Sequence, residues 1–123
     1  MNPELHKSFM IIHDHNISIV DLTLDMFGSY TPDGVDLSQY CVYWVARVNV
    51  CDRMRGKGLG KQLMTEMCEW LDANGFVAVI GVSSYGEMNN SELQSFYEKF
   101  GFVFDSRQIG YRLPKIDVDV VLD

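Results

Sequence analysis

A long predicted strand, a basic glycine-rich loop and an amphipathic helix follow one another directly in the middle of the chain. Residues 40–50 are rich in β-branched and aromatic side chains, as is typical of a central strand. The loop then carries alternating glycines, Gly56, Gly58 and Gly60, among basic residues. From 59 to 71 apolar residues recur every three or four positions, which predicts a helix with one apolar face. Helix N-termini carry unsatisfied N–H groups and glycine lets an anion approach them, so this unit predicts a diphosphate cradle.

The glycine spacing excludes two common nucleotide-binding loops. A Walker loop requires a glycine, four residues and then Gly-Lys-Ser/Thr, whereas Gly60-Lys61 is followed by Gln62 and no glycine lies five residues before Gly60. A dinucleotide-binding fingerprint requires Gly-x-Gly-x-x-Gly and an acidic residue for the ribose. Here the third glycine comes one residue early and no acidic residue stands at the ribose position.

The N-terminal part of the chain predicts strands. Residues 20–26 alternate apolar and polar side chains, which is typical of a half-buried strand, and residues 8–13 fit its hairpin partner across a turn near 14–16. Residues 28–38 predict a loop, because they include glycine, proline, aspartate and serine. In the long strand, alternation predicts two faces. One face holds Val42, Trp44, Ala46, Val48 and Val50, and the other holds Tyr43, Arg47 and Asn49.

The C-terminal half predicts a second helix between further strands. The first helix is expected to end at Gly75, where glycine accepts the left-handed cap. Residues 76–82 are almost wholly apolar, as in a strand buried on both faces. Asn89 and Glu92 resemble a capping box that opens a helix ending at Gly101.

Two more stretches, 102–112 and 116–122, predict strands. The stretch 116–122 contains aspartates, which would protect an edge strand of the sheet from further pairing. Alternatively, this strand would pair with a second copy of the chain in a dimer. The expected fold is therefore a single mixed α/β domain over residues 1–123. Its sheet is mixed and mostly antiparallel, with the long strand in the middle and helices flanking it.

Two signatures resemble the GNAT superfamily of N-acetyltransferases. The loop matches the family's acetyl-CoA pattern, Arg/Gln-x-x-Gly-x-Gly/Ala, as Arg55-Gly56-Lys57-Gly58-Leu59-Gly60. Downstream, Asn90 is followed seven residues later by Tyr97 and then by Gly101-Phe102, which is similar to the second signature. The resemblance covers about residues 40–113. It implies a GNAT-like sheet with two splayed parallel strands, 40–50 and 76–82.

The resemblance implies that acetyl-CoA binds as co-substrate between the splayed strands. In the family the pantetheine arm pairs with strand backbone, here Val48 and Val50, and the pyrophosphate sits on the loop. The remaining residues implied in cofactor binding are Arg55, Gly56, Lys57, Gly58, Leu59, Gly60, Lys61 and Asn90.

The family's chemistry is a direct attack of an amine on the thioester carbonyl. Tyr97 matches the usual acid, which protonates the leaving thiolate, and strand N–H groups near Val48 would donate to the oxyanion. The glutamate that some members carry on the long strand falls at Trp44 here, and residues 40–51 contain no carboxylate. The base is then water or one of five side chains. These candidates are His13, Asp14, His15, Asp36 and Glu87.

The acceptor side is expected to be open or completed by another copy of the chain. Only 54 residues precede Arg55, and no apolar stripe of helical period lies among them. Family members usually place two helices there, which help to form the acceptor pocket. An open site suits a protein or peptide amine better than a small buried metabolite, although both remain candidate acceptors.

Three functions are compatible with these residues. The leading one is an acetyl-CoA-dependent N-acetyltransferase acting on a primary amine of a small molecule or protein. The second is a catalytically inactive GNAT-fold module that binds CoA or a protein partner, and the third is an acidic interaction protein that binds no CoA. Tyr97 beside Phe96 and Phe100 would otherwise be a core aromatic residue, and Asn90 an ordinary helix cap.

The charge and composition of the chain argue against several classes of binding partner. The net charge of −7 argues against a nucleic-acid partner bound through a broad basic face. Cys41, Cys51 and Cys68 show no CxxC spacing, which favours reduced thiols in a cytoplasmic protein. No apolar run approaches the roughly 20 residues of a membrane span, so no membrane partner is expected. The histidines and cysteines show no metal-ligand spacing, so no metal is expected.

Overall fold

The computed structural model describes residues 4–26, 28, 32, 34–49, 58–82 and 90–115. Their elements are β1 (His6–His13), β2 (Asn16–Leu24), β3 (Val42–Asn49), α1 (Leu59–Asn74), β4 (Val77–Gly81), α2 (Asn90–Glu98), β5 (Val103–Phe104) and β6 (Ile109–Arg112). The six strands form one sheet in the order β1-β2-β3-β4-β6-β5. The pair β3–β4 is parallel and the other neighbours are antiparallel. The predicted mixed, mostly antiparallel fold is confirmed, and the strand predicted at 116–122 lies outside the described residues.

Both helices pack on one side of the sheet, which we call the helix face. The apolar side of α1 is fully buried there through Leu63, Met67 and Leu71, and Tyr97 of α2 joins the same core. On the other side, the open face, Leu37 packs against Val77 and Val79 in a smaller cluster. No helix in the described part of the chain covers the open face.

A β-bulge at Ala46 changes the predicted facing of β3. Leu22 pairs with Val45 and Asp21 with Arg47, so Ala46 has no partner on β2. The extra residue shifts the alternation of side chains by one position. As a result Val45 and Val48, three residues apart, both pack against the helix-face core.

The predicted assignment of β3 residues to the two faces of the sheet is therefore wrong beyond the bulge. Val42 and Trp44 do share the open-face cluster, but Val48 turns to the helix face. Arg47 turns to the open face, because its partner Asp21 lies between core residues of the helix face and so points away from them. Tyr43, predicted to share the face of Arg47, is fully buried in the helix-face core.

A buried ion pair ties α1 to β6 and to the end of α2. The side chain of Arg112 is 2% exposed, and its two terminal nitrogens donate to the two carboxylate oxygens of Asp72 at 2.9 and 3.0 Å. Its Nε donates to the Phe100 carbonyl at 2.6 Å, and the Lys115 N–H donates to Asp72 at 2.8 Å. The pair joins the C-terminal ends of both helices to a central strand of the sheet.

Candidate functional site

The strands β3 and β4 separate halfway along their length. They are paired at Val42–Val77, Tyr43–Ala78 and Trp44–Val79. Beyond Trp44 and Val79 the described residues of the two strands are no longer paired, although β3 continues to Asn49 and β4 to Gly81. The predicted splay between the two strands is therefore present, and the bulge at Ala46 lies at its start.

A cavity of about 260 Å³ occupies the gap between the separated strands. The β3 side of its wall runs from Val45 to Val48, and the β4 side from Ile80 to Val82. Leu93 and Tyr97, one turn apart on α2, close it from the helix face. The cavity is thus bounded by strand residues on two sides and by a helix on a third.

Tyr97 is held in the cavity wall by aromatic packing. Its side chain is 7% exposed, and its ring makes edge contacts with Phe96 and Phe102 at centroid distances of 5.5 and 6.2 Å. Such contacts fix the plane of the ring. The residue singled out as an acid from the sequence therefore lines the cavity, and it is also the core aromatic that its apolar neighbours predicted.

The N-terminus of α1 presents its backbone without a side-chain cap. Gly58 stands at the N-cap with a φ of 75°, a left-handed conformation that favours glycine. The first turn, Leu59, Gly60 and Lys61, contains no acidic residue. Backbone N–H groups next to a lysine form a local environment suited to an anion.

The other predicted cofactor residues fall into three groups. Val48 lines the cavity. Asn90 opens α2. Val50, Arg55, Gly56 and Lys57 lie outside the described residues, so their roles stay predictions.

None of the described base candidates lines the cavity. Asp14 and His15 form the exposed β1–β2 turn with φ values of 48° and 66°. Asp36 accepts hydrogen bonds from the hydroxyl and N–H of Ser38, which hold the pKa of its carboxyl below the ordinary value. His13 belongs to β1, and Glu87 lies outside the described residues. No carboxylate is found among the described residues of the cavity wall.

A polar network on the open face reaches the cavity through Arg47, and the sequence patterns did not reveal it. The Nε and one terminal nitrogen of Arg47 both lie 2.9 Å from the same oxygen of Asp21. The Ser8 hydroxyl donates to the other oxygen at 2.5 Å, and His6 Nε2 lies 2.9 Å from that hydroxyl. Antiparallel pairing brings these residues together across three strands, from positions far apart in the chain.

The carboxyl of Asp21 is kept ionised although its residue is buried. Burial raises its pKa, but hydrogen bonds from Ser8 and the charge and hydrogen bonding of Arg47 outweigh it. The net effect lowers the pKa of Asp21 below its ordinary value. At neutral pH Asp21 is therefore a fixed anion that anchors Arg47, and it is a weak base.

The described residues also bear on other classes of site. They contain no group of three or more histidine, cysteine or acidic side chains arranged to hold a metal ion. Within the same part of the chain, no helix is long and apolar enough to cross a membrane.

Solved structures with a similar fold include an anti-CRISPR protein, a GNAT family N-acetyltransferase and a protein–DNA complex. The anti-CRISPR protein AcrVA5 aligns over 85% of this chain and 96% of its own, with a TM-score of 0.57 and 13% identity. The GNAT family N-acetyltransferase YhbS from Escherichia coli, in complex with CoA, aligns with a TM-score of 0.59 and 19% identity. The alignment covers 86% of this chain and 57% of that chain. The KacTA–DNA complex aligns with a TM-score of 0.52 and 13% identity, over 91% of this chain and 70% of that chain. At these identities the likeness shows the fold alone.

The family match rests on the sequence itself. Curated proteins give no significant match. The family profile described as an acetyltransferase (GNAT) domain matches residues 9–104. This range includes the splayed strands, the cavity wall and the start of α1, and it spans most of the sequence. The chain therefore belongs to the GNAT family of acetyltransferase domains.

Proposed function

We propose that this protein transfers the acetyl group of acetyl-CoA directly to a primary amine of a small molecule or a protein. The observation that carries the proposal is the cavity between β3 and β4, with Tyr97 in its wall and the uncapped start of α1 on the same chain. Membership of the GNAT family supports acetyl transfer in general. The acceptor and the use of acetyl-CoA belong to the proposal.

The described residues fit acetyl-CoA. From Val45 to Val48 the residues of β3 line the cavity beyond the last described pair of β3 with β4, and an amide-containing arm would run along this edge of the strand. Backbone N–H groups and Lys61 at the start of α1 suit a pyrophosphate. Acetyl-CoA supplies the acetyl group as an activated thioester.

The chain's own residues have three tasks in the transfer. Strand N–H groups near Val48 donate to the carbonyl oxygen as negative charge develops on it. The hydroxyl of Tyr97 gives its proton to the departing thiolate as the carbon–sulfur bond breaks and the carbon–nitrogen bond forms. The amine loses its proton to water, since no carboxylate is described in the cavity wall.

The lack of a carboxylate among the described residues of the cavity wall also favours a second candidate function. A GNAT-fold module that binds CoA or a protein partner without turnover needs the cavity and the α1 N-terminus but no base. The transferase and a CoA-binding module differ in turnover and agree in CoA binding, whereas a module that binds only a protein partner would bind no CoA.

Saturating acetyl-CoA should raise the melting temperature of the protein. Ligand at about 100 times its dissociation constant adds about 2.7 kcal/mol to the free energy of unfolding, which corresponds to roughly 10 °C for a domain of this size. Thermal unfolding with and without acetyl-CoA measures this shift. The double variant Arg55→Ala/Lys57→Ala should lose most of it, while Lys99→Ala, at the far end of α2, should keep it. The absence of a shift in the unmodified protein would contradict both the transferase and the CoA-binding form of the inactive module.

Replacement of Gly58 by alanine should weaken acetyl-CoA binding. Alanine at a φ of 75° costs about 1–2 kcal/mol, and an added Cβ meets no atom within 4 Å, so the cost comes from the backbone rather than from a clash. Gly28→Ala is the matched control, because Gly28 also has positive φ and open space around it. Both variants should lower the melting temperature slightly, but Gly58→Ala alone should reduce affinity for acetyl-CoA in calorimetry. Equal affinities in the two variants would argue against an anion site at this helix start.

Three further expectations belong to the same proposal. The acceptor side is open in the described chain, which suits a protein or peptide amine as well as a small one. A homodimer that completes this side, and a cytoplasmic location with reduced thiols, remain proposals.

A further inference from the structure

Arg47 belongs to the cavity wall, and its side chain points to the face of the sheet opposite to that of Tyr97. Tyr97 and Leu93 belong to α2 on the helix face, whereas Arg47 points to the open face. The residues of the cavity wall therefore point to both faces of the sheet. The helix α1 also packs on the helix face. The helix-face side therefore carries Tyr97 and the N-terminus of α1, whereas the open-face side carries Arg47.

We propose that Arg47 binds a carboxylate of the acceptor, so that the substrates of this protein are amines that also carry a carboxylate. This inference rests on the proposed function, and it names the class of acceptor. The acetyl donor would occupy the helix-face side, next to α1 and Tyr97. The acceptor would enter from the open face, where no described helix stands in its way.

The guanidinium of Arg47 is fixed in position before any ligand arrives. Its Nε and Nη2 atoms both contact Asp21, and Asp21 is held in turn by Ser8. These contacts occupy one edge of the planar group. The other edge, formed by Nη1 and the second hydrogen of Nη2, is directed away from Asp21 by the geometry of the guanidinium. The Arg47 side chain is 56% exposed, so this outer edge is accessible.

A carboxylate fits this outer edge better than the other common groups. Two parallel N–H groups match the two oxygens of a carboxylate. An ammonium group would be repelled, and no described carboxylate in the cavity wall would attract it. Asp21 offsets the positive charge of Arg47, and the chain as a whole carries −7. Hydrogen-bond geometry, rather than long-range attraction of polyanions, would therefore select the ligand.

Matched ligands with and without a carboxylate test the proposal by calorimetric titration. The probes are the N-acetyl derivatives of unbranched ω-amino acids of three to six carbons and the corresponding primary amides, which resemble the product. They are titrated into protein saturated with CoA. The variants are Arg47→Gln, which keeps a donor for Asp21, and Arg107→Gln as a control. Arg107 is also exposed and paired with an aspartate, but it does not line the cavity.

At least one acid should bind about 10- to 100-fold more tightly than its amide, as charge-assisted hydrogen bonds to a carboxylate imply. In Arg47→Gln this preference should fall to within about twofold, while the CoA-induced rise in melting temperature is unchanged. Arg107→Gln should keep the preference. Equal binding of acids and amides, no binding of any acid, or a preference that survives in Arg47→Gln would overturn the inference.

A failure of the proposed function would give a different result. If CoA produces no thermal shift in the unmodified protein, the same titrations are made without CoA. An acid preference that depends on Arg47 would then uphold the carboxylate site although acetyl transfer had failed. Its absence would overturn the inference as well.

Discussion

Replacement of Arg112 by methionine should lower the free energy of unfolding by about 3–5 kcal/mol. Removing one partner of a buried, hydrogen-bonded ion pair leaves the other charge uncompensated, and this is the usual size of the loss. Here the Phe100 carbonyl also loses its donor. The Asp72 side chain is 25% exposed and regains some water, so the lower end of the range is expected. Thermal or urea-induced unfolding measures the loss, which at 3 kcal/mol is a fall of roughly 10 °C.

The control for this variant is Arg107→Met. Arg107 contacts Asp105 in the same chemical manner, at 2.7 Å, but its side chain is 53% exposed. Exposed pairs contribute under about 1 kcal/mol, so this variant should stay close to the unmodified protein. A loss of stability in Arg112→Met that is no larger than in Arg107→Met would show that the buried pair does not hold the helices to the sheet.

Acid should reduce the difference between Arg112→Met and the unmodified protein. Burial raises the pKa of Asp72, but hydrogen bonds from Arg112 and the Lys115 N–H outweigh it, so the folded-state pKa is lowered. A carboxyl with a lowered folded pKa stabilises the protein above its unfolded pKa, near 3.9. The contribution is lost as the pH falls through the folded value. Unfolding curves from pH 7 to pH 2.5 should therefore converge for the two proteins.

Replacement of Tyr97 by phenylalanine should lower kcat about 100-fold or more. A positioned general acid contributes about 10²- to 10⁴-fold, and the variant removes the hydroxyl proton while keeping the ring. The contacts with Phe96 and Phe102 should persist, so melting temperature and the dissociation constant of acetyl-CoA should change little. Release of free CoA thiol in the presence of an amine acceptor measures kcat.

Tyr111→Phe is the matched variant for this measurement. Tyr111 is half-buried on β6 and belongs to the open-face cluster, away from the cavity wall. It should retain full turnover. A kcat in Tyr97→Phe within about threefold of the unmodified enzyme would exclude Tyr97 as the acid. If neither protein turns over while both bind acetyl-CoA, the inactive CoA-binding module becomes the better account.

Local patterns in the sequence predicted most of the fold. The end of α1 is an example, since Gly75 adopts the left-handed cap with a φ of 70° and the Phe76 N–H donates to the Leu71 carbonyl. The buried character of β4 also follows from residues that are near one another in the chain, and α2 is present as predicted, although it ends at Glu98 rather than at Phe100. In each case one residue or a short apolar run carries the signal.

The site was harder to predict, because parts of it depend on contacts between distant residues. The bulge at Ala46 leaves no trace in a strand whose residues are nearly all apolar, yet it decides that Val48 faces the helices and Arg47 the open face. The contact of Arg47 with Asp21 joins positions 26 residues apart. The resemblance to the GNAT family pointed to Tyr97, which lines the gap between the strands, but it carried no information about Arg47.

The short pairing between β3 and β4 has a mechanical consequence. The strands β1, β2 and β3 form one antiparallel half of the sheet, and β4, β6 and β5 form the other. Within the sheet, three residue pairs at one end of β3 and β4 join the two halves. The halves therefore resemble two plates, and the three pairs form a short seam that acts as a hinge between them. A small change in the angle between the plates alters the width of the gap without breaking a strand–strand hydrogen bond inside either plate. Because one helix-face core packs against both plates, such a rotation would also shift the packing of α1 and Tyr97 on the sheet, which limits how far the gap can widen.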